Sequence, residues 1–152
     1  MRQIIYDKVR NISEKYKGYI DTEDLMKEGL TNRQIGLLTA EEKLEKIAHG
    51  HYWVNSDAYG KPEDYKAVEV ARVNENAVIC ADSACYYMGL IDVEPQVLSI
   101  ATKRSDRHKM KMNLMYADII FQRKHLRKIR KFSIRNMAVI RYMILTEVCV
   151  IV

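Results

Sequence analysis

Apolar residues along most of this chain recur at the three- and four-residue spacing of amphipathic helices. In the first such stretch, Ile5, Val9 and Ile12 form an apolar row that is expected to face a core. Five stretches have the pattern and predict helices: residues 4–15, 22–28, 31–41, 62–73 and 81–88. Three shorter stretches predict strands: residues 43–48, 51–55 and 97–102. The sequence therefore predicts an α+β protein.

The second and third helices have specific signals at their ends. Gly29 is expected to end the second helix, because the residue after a helix favours a positive φ, which glycine adopts without a Cβ clash. Thr31 and Gln34 have the Ser/Thr-x-x-Glu/Gln spacing of a capping box at the start of the third helix. Two helices joined by a tight turn and followed by a hairpin are typical of a winged helix-turn-helix, which usually reads duplex DNA. We predict this fold for residues 1–55.

The third helix has an outward face that a DNA duplex would meet. Ile35 and Leu38 mark its buried side. A rotation of about 100° per residue leaves four residues on the opposite side: Arg33, Gly36, Leu37 and Ala40. Of these, only Arg33 can make a bidentate contact with guanine. The candidate DNA-binding residues are Thr31, Asn32, Arg33, Gln34, Lys43 and Lys46.

Most of these candidates also have a purely structural interpretation. Thr31 and Gln34 can be occupied in capping their own helix. Lys43 and Lys46 can be the solvated face of the hairpin, balanced by neighbouring glutamates. The small and apolar residues on the outward face also suit a contact with protein. The alternative function is therefore a winged-helix protein-interaction module that does not bind DNA.

The net charge of +5 is unevenly distributed along the chain. Residues 1–55 hold nine basic and nine acidic side chains, and residues 56–102 hold three basic and eight acidic ones. Residues 103–152 hold 13 basic and three acidic side chains, so the basic character lies in the tail. Binding to phosphate requires clustered Lys and Arg on one face, and residues 1–102 do not obviously supply such a cluster.

Four runs of sequence, in this order, resemble the AbiEi-type antitoxins of type IV toxin–antitoxin systems: residues 14–20, 29–35, 44–52 and 77–90. The family tends to have glycine at the position of Glu42 and arginine at that of His49. The resemblance implies a winged-helix antitoxin of a bacterial abortive-infection system, which acts in phage defence. Such a protein binds double-stranded DNA repeats in its own promoter and represses the operon. A separate C-terminal domain counters a nucleotidyltransferase-like toxin.

Composition and the resemblance together divide the chain into four parts. They are a winged helix-turn-helix (1–55), a linker (56–61), a partial antitoxin C-terminal domain (62–104) and a basic and apolar tail (105–152). We predict a winged helix followed by a small, incomplete α/β domain and an irregular tail.

The tail differs from the rest of the chain because residues 103–152 contain no glycine and no proline. Residues 117–131 predict a basic helix, and the apolar residues 137–152 are too few for a membrane span. One interpretation is an RNA binder or a membrane-surface binder. We favour another. The sequence from residue 116 onward can be back-translated into one permissible set of codons. Translated in a different reading frame, these codons give a sequence that resembles later AbiEi-type signatures. The tail is therefore a candidate frameshift product.

Residues with the chemistry of catalysis or metal binding are few. Asp82, Ser83 and Cys85 lie close together, but no histidine is at a spacing that would build a nucleophile–base pair. His49 and His51 alternate on a strand without a third ligand nearby. We predict a non-enzyme without metal or cofactor. Three cysteines without a Cys-x-x-Cys pair favour a reduced, cytoplasmic protein, and no membrane partner is expected.

Overall fold

The computed structural model describes residues 2–56, 60–106, 110–121, 129–134 and 138–143. The chain divides into two compact units. The first comprises Met1–Glu63 and Lys111–Asn113, and the second comprises Asp64–Met110 and Leu114–Val152. Each unit combines helices with a β-sheet, so the α+β class predicted from the sequence is confirmed.

The first unit has three helices and three strands in its described part. In chain order these are α1 (Arg2–Tyr16), β1 (Tyr19–Asp21), α2 (Thr22–Lys27), α3 (Asn32–Ala40), β2 (Leu44–Ala48) and β3 (His51–Val54). The strands form an antiparallel sheet in the order β1-β3-β2. The helices and the hairpin of β2 and β3 confirm predicted elements. β1 was not predicted, because three residues are too few to show a period.

Buried apolar side chains from all three helices and the sheet form the core of the first unit. They are Val9, Ile12, Ile20, Leu25, Leu30, Ile35, Leu38, Leu44 and Val54. Ile5 and Tyr52 are partly buried against this cluster. Ile35 and Leu38 thus fix α3 to the core by the side predicted from the sequence, which turns the opposite side of the helix outward.

The face of the sheet away from this core is built around Trp53, which is 3% exposed. Its ring meets that of Tyr19 edge to face, with the centroids 4.7 Å apart. Gly18 lies directly before β1 and has a φ of +88°. A Cβ at Gly18 would be 2.3 Å from the nearest atom of the Trp53 ring. Only glycine fits at this position.

α2 and α3 end with the same backbone geometry, a Schellman-type turn. After α2, Gly29 has a φ of +84° and its N–H donates to the carbonyl of Met26 at 2.9 Å. After α3, Glu42 occupies the equivalent position with a φ of +57°, and its N–H donates to the carbonyl of Thr39 at 3.2 Å. A left-handed backbone costs a residue with a Cβ about 1–2 kcal/mol. Glu42 is therefore strained in a backbone conformation that favours glycine.

Replacing Glu42 with glycine is expected to raise the free energy of unfolding by about 0.5–1 kcal/mol, because relief of the left-handed strain exceeds the extra freedom of glycine in the unfolded chain. Urea denaturation measures this change. The matched control is Glu42→Gln, which removes the charge but keeps the strain, and should stabilise the chain by only about 0.3 kcal/mol through loss of a negative charge beside the helix C-terminus. Equal stabilisation by both variants would attribute the effect to charge and refute the backbone explanation.

The second unit has two helices and five strands in its described part. They are α4 (Tyr65–Val73), β4 (Val78–Ile79), α5 (Ala81–Tyr87), β5 (Leu98–Lys103), β6 (Tyr116–Phe121), β7 (Ile129–Ile134) and β8 (Ala138–Met143). The sheet is mixed and has the order β6-β5-β4-β8-β7. β5 is parallel to β6, and β4 is parallel to β8; the other neighbours are antiparallel.

α4, α5 and β5 confirm the three elements predicted for residues 62–102. α4 begins at Tyr65 and has Asp64 as its N-cap, so Pro62 lies before the helix and not in its first turn. α5 ends at Tyr87 with Met88 as its C-cap, and Gly89 follows with a φ of +71°. Ser83 on α5 accepts a hydrogen bond from the N–H of Ser99 on β5 at 2.9 Å, which joins the helix to the sheet.

The tail is the part of the chain where the sequence prediction was wrong. The helix predicted over residues 117–131 is contradicted by β6 and β7, and the strands from β6 to β8 contradict an irregular tail. β6 pairs with β5 from Tyr116 to Phe121, and such long-range pairing overrides local propensity. Residues 122–128, with much of the predicted basic cluster, and 144–152 lie outside the described residues. Within the described ranges, no helix has both the length and the apolar character to cross a membrane.

Candidate nucleic-acid interface

α3 presents an open, exposed face. Its exposed residues include the four predicted from helical rotation: Arg33, Gly36, Leu37 and Ala40. Leu37 is 53% exposed. A Cβ added to Gly36 would meet no atom within 4 Å. In the described part of the chain, this side of the helix is therefore accessible to a large partner.

The capping box at the start of α3 is present as predicted. The N–H of Gln34 donates to Oγ1 of Thr31 at 3.3 Å, and the N–H of Thr31 donates to Oε1 of Gln34 at 2.8 Å. These two side chains hold the helix start in shape. Asn32 and Arg33 are the exposed residues that the first turn then presents to a partner.

Of the two candidate lysines, Lys43 lies away from the start of α3. Lys43 follows the other end of the helix, which at nine residues is about 13 Å long. Lys46 on β2 lies opposite Tyr52, on the sheet face that packs against the helices. Both lysines are exposed. The structure therefore brings residues 31–34 together and places Lys43 apart from them.

The two ends of α3 differ in charge. The first turn has the partial positive charge of a helix N-terminus, and Arg33 adds a full one. The last turn has the partial negative charge of a C-terminus and is followed by Glu41 and Glu42 beside Lys43. Glu41 accepts a hydrogen bond from the Tyr6 hydroxyl at 2.6 Å, which leaves its negative charge in place. The electropositive end of α3 is therefore the end with Arg33.

Ion pairing further distinguishes the basic residues of the first unit. Several are paired with carboxylates: Arg10 with Glu14, Lys15 with Glu28, Lys27 with Asp24 and Lys61 with Glu45. Among the residues that the structure describes, no carboxylate pairs with Arg33, Lys43 or Lys46. The candidate DNA-binding cations are available to an external anion.

The turn of the hairpin is short and held in place. His49 and Gly50 form it, and Gly50 has a φ of +82°. The carbonyl of Gly50 accepts a hydrogen bond from the N–H of Thr22 at 2.8 Å. Beside it, Nδ1 of His51 lies 2.7 Å from Oδ1 of Asp21, across β1 and β3. These contacts fix the turn relative to the start of α2.

A segment that the sequence did not predict covers the outer edge of this hairpin. Lys111–Asn113, more than 60 positions further along the chain, belongs to the first unit. Met112 forms an antiparallel bridge with Ala48. The N–H of Asn113 donates to the carbonyl of Ile47 at 3.1 Å, and its Nδ2 donates to that of Lys46 at 2.6 Å. We call Lys111–Asn113 the edge segment. No local pattern marks it, because such a bridge depends on distant parts of the chain.

The environments of Cys80 and of the metal-ligating residue types bear on catalysis and metal binding. Cys80 is buried at the start of α5, and burial, with a smaller contribution from the Asp118 carboxylate, raises the pKa of its thiol to about 11. A thiol with so high a pKa remains protonated at neutral pH and is a poor nucleophile. Within the described ranges, no three His, Cys, Asp or Glu side chains are grouped as a metal site requires.

Comparison with protein-family models gave no match for this chain, and comparison with curated proteins gave none either. The features of the chain that bear on a function are therefore the geometry and charge of α3, the hairpin and the edge segment.

Proposed function

We propose that this chain is a DNA-binding transcriptional regulator that reads the major groove with α3. The observation that carries the proposal is the open face of α3. Arg33 is exposed at the electropositive end of this helix, and among the described residues no carboxylate pairs with it. The element order α1-β1-α2-α3-β2-β3 and the sheet order β1-β3-β2 support a winged helix-turn-helix in which α3 is the recognition helix.

The residues on this face suit distinct parts of a DNA duplex. An α-helix with its side chains is about 10–12 Å across, which a major groove about 12 Å wide admits. Arg33 would donate two hydrogen bonds to the O6 and N7 atoms of guanine, and Asn32 would contact adenine or a phosphate. Leu37 and Ala40 would contact thymine methyl groups. Gly36 would let the helix backbone approach the bases closely.

The resemblance to AbiEi-type antitoxins supports a more specific role. We propose that the first unit binds repeats in the promoter of its own operon and represses it. The second unit would belong to the part that counters a nucleotidyltransferase-like toxin. In this proposal the protein acts by binding in the cytoplasm, without catalysis, cofactor or metal.

A mobility-shift assay with the full chain tests the proposal. The probes are the DNA directly upstream of its gene and a duplex of the same composition in scrambled order, each at two salt concentrations. Preferential retardation of the upstream DNA is expected. Absence of a shift at both salt concentrations would contradict the proposal.

The salt dependence of binding tests which lysines contact phosphate. The variant Lys43→Gln/Lys46→Gln is expected to reduce the slope of log Kobs against log salt concentration by about 1.8, because each phosphate contact contributes about 0.9. The matched control is Lys15→Gln/Lys27→Gln, whose lysines are paired with Glu28 and Asp24. This control should leave the slope unchanged. Equal reductions in both variants would mean that the unpaired lysines have no special part in binding.

A protein-interaction module is the second candidate function. The exposure of Leu37 beside Gly36 and Ala40 favours it, because a small apolar surface suits a protein partner. The same mobility-shift assay separates the two functions. A well-folded chain that fails to shift any duplex, whatever the salt concentration, would favour the protein partner.

A further inference from the structure

The edge segment changes which charges belong to the first unit. From sequence position alone, Lys111 belongs to the basic tail after residue 102. In the structure the edge segment joins the first unit and pairs with β2. One cation that the sequence assigned to the tail is thereby placed on the hairpin.

The register of the bridge defines where this cation lies. Met112 is opposite Ala48, the last residue before the turn of the hairpin, and in this antiparallel arrangement Lys111 lies next to Met112 on the side of the turn. The bonds from Asn113 to the carbonyls of Ile47 and Lys46 fix the segment on its other side. The backbone of Lys111 is therefore held next to the turn.

Lys111 has the properties of a phosphate-binding side chain. It is exposed, and no carboxylate in the described ranges pairs with it. Lys46 is exposed on the strand that the segment covers, so two cations border the same edge of the hairpin. Clustered cations on one face are what the DNA backbone attracts.

We propose that Lys111 is a phosphate-binding residue of the DNA interface, so that this interface is assembled from two distant parts of the chain. The inference rests on the proposed DNA-binding function and adds a residue to it. Residues 31–46 supply the recognition helix and the first hairpin cations. The edge segment closes the free edge of β2 and adds Lys111 at the turn, where it would contact the backbone beside the groove that α3 enters.

The test uses the full chain, the DNA upstream of its gene and the slope of log Kobs against log salt concentration. Lys111→Gln is expected to reduce the slope by about 0.9, the value for one phosphate contact. The matched control is Lys103→Gln, an exposed lysine at the end of β5 that undergoes the same change of charge. Lys103→Gln should leave the slope unchanged, and Lys111→Arg should preserve it.

The possible failures are distinguishable. If the unmodified chain does not bind the duplex, the proposed DNA-binding function is wrong. If the chain binds and Arg33→Ala weakens binding, but Lys111→Gln leaves the slope unchanged, only the inference about Lys111 is wrong. An equal reduction for Lys103→Gln would reveal a general effect of net charge and would also overturn the inference. Circular dichroism of each variant confirms that the fold is retained.

Discussion

Replacing Arg33 with alanine is expected to weaken binding to the upstream DNA by about 5- to 150-fold. This corresponds to the loss of about 1–3 kcal/mol of binding free energy, the contribution of a single bidentate contact with guanine. The side chain is exposed on the first turn of α3, where truncation opens no cavity. Stability should therefore change little. Fluorescence anisotropy with a labelled duplex measures the affinity, and thermal denaturation measures the stability.

Two further variants make the Arg33 result specific. Arg10→Ala removes an exposed arginine on α1 that is paired with Glu14, and it should bind DNA like the unmodified chain. Arg33→Lys retains the charge but loses the planar, two-pronged donor arrangement. Compared with Arg33→Ala, this variant is expected to regain affinity for DNA of any sequence, including the scrambled duplex. It should regain less of the preference for the upstream duplex over the scrambled one. Normal affinity and preference in Arg33→Ala would show that α3 does not read the duplex through this residue.

Replacing Gly18 with alanine is expected to lower the free energy of unfolding by at least about 3 kcal/mol. Two effects combine in this change. Alanine would have to adopt a φ of +88°, and its Cβ would lie 2.3 Å from the Trp53 ring. A typical domain is stable by only about 5–15 kcal/mol, so the loss would be a large share of the total. Urea denaturation followed by Trp53 fluorescence measures it.

The matched control for Gly18 is the same substitution in α3. Gly36→Ala places a Cβ in open space, with no atom within 4 Å, in a residue of ordinary helical backbone. This change should stabilise the chain by about 0.5–1 kcal/mol, because alanine has the higher helix propensity. A Gly18→Ala variant as stable as the unmodified protein would show that β1 and Trp53 are not packed as described.

The elements that could be predicted from the sequence are those whose signals are local. Gly29 ends α2, and the pairing of Thr31 with Gln34 begins α3, through contacts between residues at most three apart. The outward face of α3 followed from the burial of Ile35 and Leu38, which local periodicity reveals. The candidate site was predictable to this extent.

The features that were not predicted depend on distant contacts. β6 forms against β5 across a long connection, although its own residues were interpreted as a helix. The edge segment reaches β2 from more than 60 positions away, so Lys111 was counted with the tail. The left-handed backbone of Glu42, with a φ of +57°, is visible only in the structure.

NMR chemical-shift mapping of the isotope-labelled full chain, titrated with the duplex upstream of its gene, shows directly whether α3 reads DNA. We expect the largest amide shifts at Asn32, Arg33 and Gly36, with further shifts at the hairpin turn. Amides on α1 around Arg10 should move little. Saturable shifts that are absent from α3 and concentrated elsewhere would refute recognition by α3, as would a spectrum that the duplex leaves unchanged.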